Sequence, residues 1–208
     1  MTETRSYRGR SIDERRTERR ERFLDAALTL FGTTGYAATA VPAVCKAAGL
    51  SSRQFYELFS DREDLLRALY DRVQDESTAA VSEALDAALS TSGITVEEVL
   101  DAGIRAFVEY YASSTERTRV SFVEVVGVSP RFEDHRHARR GEWTTLLDSV
   151  TTLGHERGLA LSASPPLVWS GYIGAVNALI VERSVNPDVT VDELMDAMRR
   201  LLRPGAIG

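Results

Sequence analysis

With one cysteine, Cys45, among 208 residues, the chain has no internal disulfide framework to brace it. No run of eighteen apolar residues occurs, which excludes a transmembrane helix, and the N-terminus carries no apolar signal region. A cytosolic protein without a membrane partner is therefore expected. The usual catalytic patterns are missing as well. Gly32 to Gly35 does not make a phosphate loop, and neither G-x-S-x-G nor H-E-x-x-H is present. No enzymatic activity, catalytic residue or cofactor is expected. His135 and His137 stand beside Glu133 and Asp134, but alternate residues on a helix point apart and the neighbouring arginines disfavour a cation, so no metal is expected either. There is no internal repeat and no convincing strand hairpin.

What is present is an ordinary globular composition, 43% hydrophobic and 27% charged, on a chain long enough to bury a sizeable core. The net charge of −6 is unevenly spread. Residues 1–70 carry twelve basic and ten acidic side chains, whereas residues 71–208 carry thirteen and twenty-one. Positive charge thus gathers at one end, where a phosphate backbone could use it. Ser-x-x-Glu or Thr-x-x-Glu capping boxes begin at Ser11, Ser60, Thr95 and Thr190, each ahead of a helix-period apolar stripe. Pro165 after Ser164 is a further start signal. Val120–Val128 is rich in β-branched residues, yet a lone strand would lack a partner, so it is read as helix ended by Pro130. The expected fold is all-α with about nine helices.

The stretch Thr39–Phe59 organises the rest. Thr39 is a good N-cap, Pro42 falls in a first helical turn, and Val41, Val44, Cys45 and Ala48 share one apolar face. Cys45 reads as a buried thiol standing where Ala would fit. Gly49 stops this helix, Ser51 or Ser52 caps the next, and Phe55 and Phe59 turn inward. That leaves Ser52, Arg53, Gln54 and Glu57 outward, with Tyr56 near the edge. Two short helices joined by a Gly-containing turn make a helix-turn-helix, whose second helix can enter a major groove. Arg pairs bidentately with guanine, Gln with adenine, and Ser donates to phosphate. The plainer alternative is an αα-hairpin in an unremarkable helical protein.

The flanks strengthen the first reading. Phe23-Leu24, Ala26-Ala27, Leu30-Phe31, Gly35, Tyr36 and Thr39 precede the motif. Ala47-Ala48-Gly49, Ser51-Ser52, Phe55-Tyr56, Phe59, Arg62 and Glu63 run through it and beyond. At this spacing the first third of the chain resembles the N-terminal domain of the TetR family of bacterial transcriptional regulators. The resemblance implies a three-helix DNA-binding domain over residues 11–66, following a basic arm over residues 1–10. A larger helical ligand-binding and dimerisation domain would span residues 67–208. It also implies that Arg62 sits where the family usually has a Lys on backbone phosphate. Base readout is expected from Ser52, Arg53 and Gln54, and phosphate contacts from Thr39, Lys46, Ser51, Tyr56 and Arg62. The arginine-rich start of the first helix, residues 14–22, suggests an element lying along DNA. Glu57 and Asp61 depart from the family in placing negative charge near that surface.

The remaining helices suggest a partner and a sensor. Gly171, Gly174, Ala175 and Ala178 form a small-residue face, and Leu194 and Met198 lie on the apolar face of the last helix. These six residues are the candidate dimer contact, consistent with the four-helix bundle through which TetR proteins pair. Phe107, Tyr110, Tyr111, Phe122, Trp143, Trp169 and Tyr172, with Glu124 and Asn177 as polar groups among them, are candidates to line a pocket for a mainly apolar effector. The expected function is a ligand-responsive repressor binding a near-palindromic double-stranded DNA operator as a homodimer. The alternative is a helical small-molecule carrier or adaptor without specific DNA binding. Steep loss of DNA affinity with salt separates the two.

Overall fold

A computed structural model describes residues 12–159, 165–186 and 188–206. Among these the chain is all-α, with nine α-helices, one π-helical turn and no strand. No helix among them is long and apolar enough to cross a membrane. The basic arm, Ser11 of the first capping box and Ser164 lie outside the described residues.

The chain opens with α1 (Ile12–Thr33), α2 (Val41–Ala48) and α3 (Ser52–Tyr56). Their inner faces meet at Phe23, whose ring stands edge-on to Phe55 at 5.5 Å and to Phe59 at 6.0 Å. Val44, Cys45 and Ala48 close the same core from α2. Gly49 adopts φ 63° at the end of α2 and lets the chain turn at once into the next helix. Thr39 does not cap α2, as its spacing suggests. Ala40 holds that position without a side-chain bond, and the Thr39 hydroxyl is turned inward, donating to the Gly35 carbonyl at 2.7 Å. A buried hydroxyl needs a partner, and the preceding turn offers one.

Helix α4 (Arg62–Leu89) runs from this unit into the larger one. At 1.5 Å per residue its 28 residues span about 42 Å. Asp61 caps it, accepting from the Asp64 amide, so the expected Ser60–Glu63 box is replaced. Ser60 instead donates to the Asp64 carboxylate. Next come α5 (Val96–Ala112), α6 (Thr115–Arg119) and a π-helical turn, Val120–Glu124. The β-branched run is therefore helical only in its first half, after which Val125–Gly127 turns away. Pro130 opens rather than ends a helix, standing first in α7 (Pro130–Glu156) with Ser129 as its cap. Pro166, not Pro165, is the first residue of α8 (Pro166–Val185). The last helix is α9 (Val191–Ala206). The boxes at Thr95 and Thr190 form as expected, each hydroxyl and amide donating to a Glu three residues on.

One buried cluster joins Phe23, Phe31 and Phe55 to Leu65, Leu69, Val108, Tyr111 and Met198. The two ends of the molecule therefore share apolar packing. They pack tightly at Gly32 of α1, where an added Cβ would lie 2.6 Å from the Glu116 Cα. Gly32→Ala should therefore force α1 and α6 apart, costing about 1–3 kcal/mol. Thermal denaturation followed by circular dichroism should show a midpoint several degrees lower; an unchanged midpoint would mean that the two helices separate freely.

Candidate functional site

The expected DNA-reading residues fall into two groups. Ser52, Arg53, Tyr56 and Lys46 are exposed on α3 and α2, with the Arg53 side chain 89% exposed and Tyr56 61% exposed. The others have work inside the protein. Ser51 caps α3: its hydroxyl accepts from the Gln54 amide, and the Gln54 carboxamide oxygen accepts from the Ser51 backbone N–H at 2.9 Å. Gln54 is thus half-buried and tied to its cap rather than standing free. Arg62 is engaged within the protein. Its guanidinium donates to the Thr39 carbonyl at 2.7 Å and stacks 4.2 Å over the Tyr36 ring, bracing the loop between α1 and α2. Thr39, only 2% exposed, is likewise structural. Gln54, expected to stand free for base readout, and Thr39 and Arg62, expected on phosphate, each satisfy a polar group left over by a turn or a helix end.

The arginines of α1 behave similarly. Arg22 donates to the Ala48 carbonyl at 2.7 and 3.1 Å and to the Gly49 carbonyl, closing the C-terminal end of α2. Arg20 lies over the Phe59 ring, and Arg19 pairs with Glu57 at 3.3 Å. Much of the charged half-helix therefore clamps the helix-turn-helix from behind. The two anomalous acids are explained by the same pattern. Glu57 receives Arg19 and Arg53, and Asp61 caps α4.

A cavity of about 140 Å³ lies in the larger part, walled by α4, α5, the π-helical turn, α7, α8 and α9. Six of the expected lining residues reach it: Phe107, Tyr111, Phe122, Trp143, Tyr172 and Asn177. Gln74 of α4 bridges two of them, its amide nitrogen donating to the Tyr111 hydroxyl at 3.2 Å while its oxygen accepts from the Trp143 indole at 3.1 Å. Burial pushes the Tyr111 hydroxyl up to about 12, so it stays protonated and available as a neutral hydrogen-bonding group. Tyr70, Arg136 and Arg140 also line the cavity and escaped the sequence reading. Arginines spaced four apart on a polar helix resemble any solvated face, and only the packing of α7 turns these two inward. His135 meets Asp71 at 2.6 Å, while His137 is exposed.

Three expected pocket residues are elsewhere. The Tyr110 hydroxyl donates to Glu76 and its ring lies under Arg117. Trp169 is buried against Val96 in a separate cluster. Glu124, at the end of the π-helical turn, faces the DNA-reading unit. Its carboxylate accepts from the Tyr36 backbone N–H and from Arg119, both at 2.7 Å, and Arg119 also donates to the Thr33 carbonyl. Ser121 and Phe122 of the same turn line the cavity, so one short segment touches both. Leu194 and Met198, expected at a dimer contact, are 2% and 1% exposed. They fill the core of the chain itself, because the apolar face of α9 is already used there. Gly171, Gly174 and Ala178 of α8 are exposed, and Ala175 is half-buried.

Residues 23–69 match the family model of bacterial regulatory proteins, tetR family. A relative from Mycolicibacterium smegmatis, described as the HTH-type transcriptional regulator EthR, is 26% identical over 177 residues, covering 85% of this chain and 79% of its own. The fold is shared with the fatty acid degradation regulator FadR from Bacillus halodurans, at TM-score 0.76 and 18% identity, over 90% of this chain and 95% of that one. It is also shared with the transcriptional regulator FadR from Bacillus subtilis, solved in complex with stearoyl-CoA, at TM-score 0.72 and 18% identity, over 88% and 95% of the two chains. The matched segment folds as the second half of α1, all of α2 and α3 and the start of α4, and this part of the chain is a helix-turn-helix domain of the tetR family of bacterial regulatory proteins.

Proposed function

We propose that the protein is a cytoplasmic, ligand-responsive repressor that reads a near-palindromic operator as a homodimer. The observation that carries this reading is the uncovered ridge at the start of α3, where Ser52 and the 89%-exposed Arg53 project beside Tyr56. Arg53 is the reader of a guanine, for which its forked donors are suited. Gln54 can read a base only through its amide nitrogen, since Ser51 holds the oxygen. Lys46, Tyr56 and the serines flank these and suit phosphate.

Pairing is assigned to α8. An added Cβ at Gly171 or Gly174 meets nothing within 4 Å, and Leu167 and Val185 on the same helix are 83% and 71% exposed. Ala178 completes the small-residue face and Ala175 borders it. A second copy pressed there would cover apolar surface that one subunit leaves open. The cavity is the effector site, and its lining of aromatic and aliphatic side chains suits a mainly apolar molecule. The relative solved with stearoyl-CoA supports a lipid-like class. An effector acts by favouring one spacing of the paired α3 helices, which an operator requires about 34–36 Å apart. The route is the π-helical turn, whose middle residue Phe122 lines the cavity and whose last residue Glu124 holds the Tyr36 amide.

Operator binding, followed by fluorescence anisotropy, should weaken steeply with salt. Arg53→Ala should cost about 1–3 kcal/mol on the operator and less on random duplex. Equal losses on both would mean that Arg53 touches only backbone, and no duplex binding at low salt would sink the whole reading. Gly174→Arg should give a folded monomer by sedimentation with much reduced operator affinity; a persistent dimer would move the interface off α8. Glu124→Gln removes the charge that holds Arg119 and the Tyr36 amide without touching the DNA face. It should shift operator Kd at least threefold, and an unchanged Kd would show that this link does not orient the reading unit.

A further inference from the structure

The charge of the cavity wall is one-sided. Two arginines, Arg136 and Arg140, line it and no Asp or Glu does, in a chain that carries 31 acidic residues. Arg139, between them in sequence, is neutralised by Asp75 and Glu142, with Asp71 nearby. Arg136 is partly neutralised. Its Nη1 donates to both oxygens of Glu133 at 2.9 and 2.8 Å, while its Nε is buried without a partner among the described residues. Arg140, one helical turn on, is half-buried and forms no ion pair among the described residues. The acid beside it is Glu133, which Arg136 already holds. The Gly127 amide and both arginines keep that carboxyl below the usual carboxylate range, so one carboxylate faces two guanidiniums that cannot shed their protons. The surroundings offer apolar surface from Ile104, Phe107 and Phe122.

Resting on the reading of this cavity as the effector site, we propose that its ligand is an amphiphile with one anionic oxygen head, a carboxylate or a phosphate. The head is met by Arg140 and Arg136, and the apolar body fills the aromatic part of the cavity. A guanidinium presents donors in a planar fork that matches either oxyanion, and such charge-assisted bonds are about twice as strong as neutral ones. The volume of about 140 Å³ is close to that of an engineered apolar cavity, about 150 Å³, that takes benzene. The apolar body is therefore of single-ring or medium-chain size.

The test uses the full chain and four ten-carbon probes below their micelle concentrations: decanoate, decyl phosphate, 1-decanol and decylamine. Binding is followed by calorimetry and by quenching of Trp143, whose indole borders the cavity. At least one of the two anions should bind tenfold or more tightly than decanol, with decylamine weakest, and the better anion identifies the head. Arg140→Gln should erase the preference for the anion over decanol. Equal binding of decanol and both anions by the native chain overturns the anionic head while leaving the cavity as an effector site. A preference that survives Arg140→Gln combined with Arg136→Gln overturns the assignment to these arginines. Neither heat nor quenching with any probe overturns the cavity reading itself. The native-chain comparison decides the matter even where a variant fails to fold.

Discussion

Helix α4 solves two packing problems with one uninterrupted backbone, and the rest of the molecule is arranged around that constraint. Its first turns put Leu65, Leu66 and Leu69 into the core built on Phe23 and Phe55. Its later turns put Val81 and Leu85 on the cavity wall. Between them the apolar stripe is interrupted by Gln74 and Ser77, both buried. The interruption has a chemical purpose at Gln74, whose amide ties Tyr111 on α5 to Trp143 on α7. A buried amide satisfied on both sides fixes the relative position of three helices more sharply than apolar packing does. The wall of the cavity is therefore referenced to the same helix that anchors the reading unit.

A second theme is the division of labour among arginines. Arg19, Arg20, Arg22, Arg62 and Arg72 all lie near the N-terminal unit, and all are engaged with carbonyls, carboxylates or rings of the protein itself. Arg53 is the contrast. Its ion pair among the described residues is with Glu57 at 3.3 Å, an exposed pair of the kind worth little in water. Positive charge in this unit thus does two separate jobs, and composition alone cannot distinguish them. Those five arginines hold the unit together, while Arg53 is left projecting from α3.

The helical class, the helix-turn-helix and the inward turn of Phe55 and Phe59 were legible because each rests on local signals: caps, a helix-stopping glycine and an apolar period. The box at Thr95 formed for the same reason. What escaped the sequence was side-chain allegiance. Thr39, Gln54 and Arg62 carry the right donors for DNA, but a donor beside a turn or helix end is claimed first by the nearest unsatisfied backbone group. Glu124 is a polar residue in an apolar stretch, yet two positions on from Phe122 it faces the other side of the turn, towards Tyr36 and Arg119. Arg136 and Arg140 looked like surface charge. Leu194 and Met198 show the same limit for apolar residues, since an apolar stripe says that a face will be buried and not against what.

Cys45 sits 5% exposed on the inner face of α2, and it is the sole thiol of the chain. Small alkylating reagents reach it only when the three-helix unit loosens, so the rate of its modification is a clock for that loosening. The protein therefore carries a built-in, label-free reporter of how firmly its reading head is held. That reporter sits on the neighbouring helix, leaving the side chains proposed to meet DNA untouched.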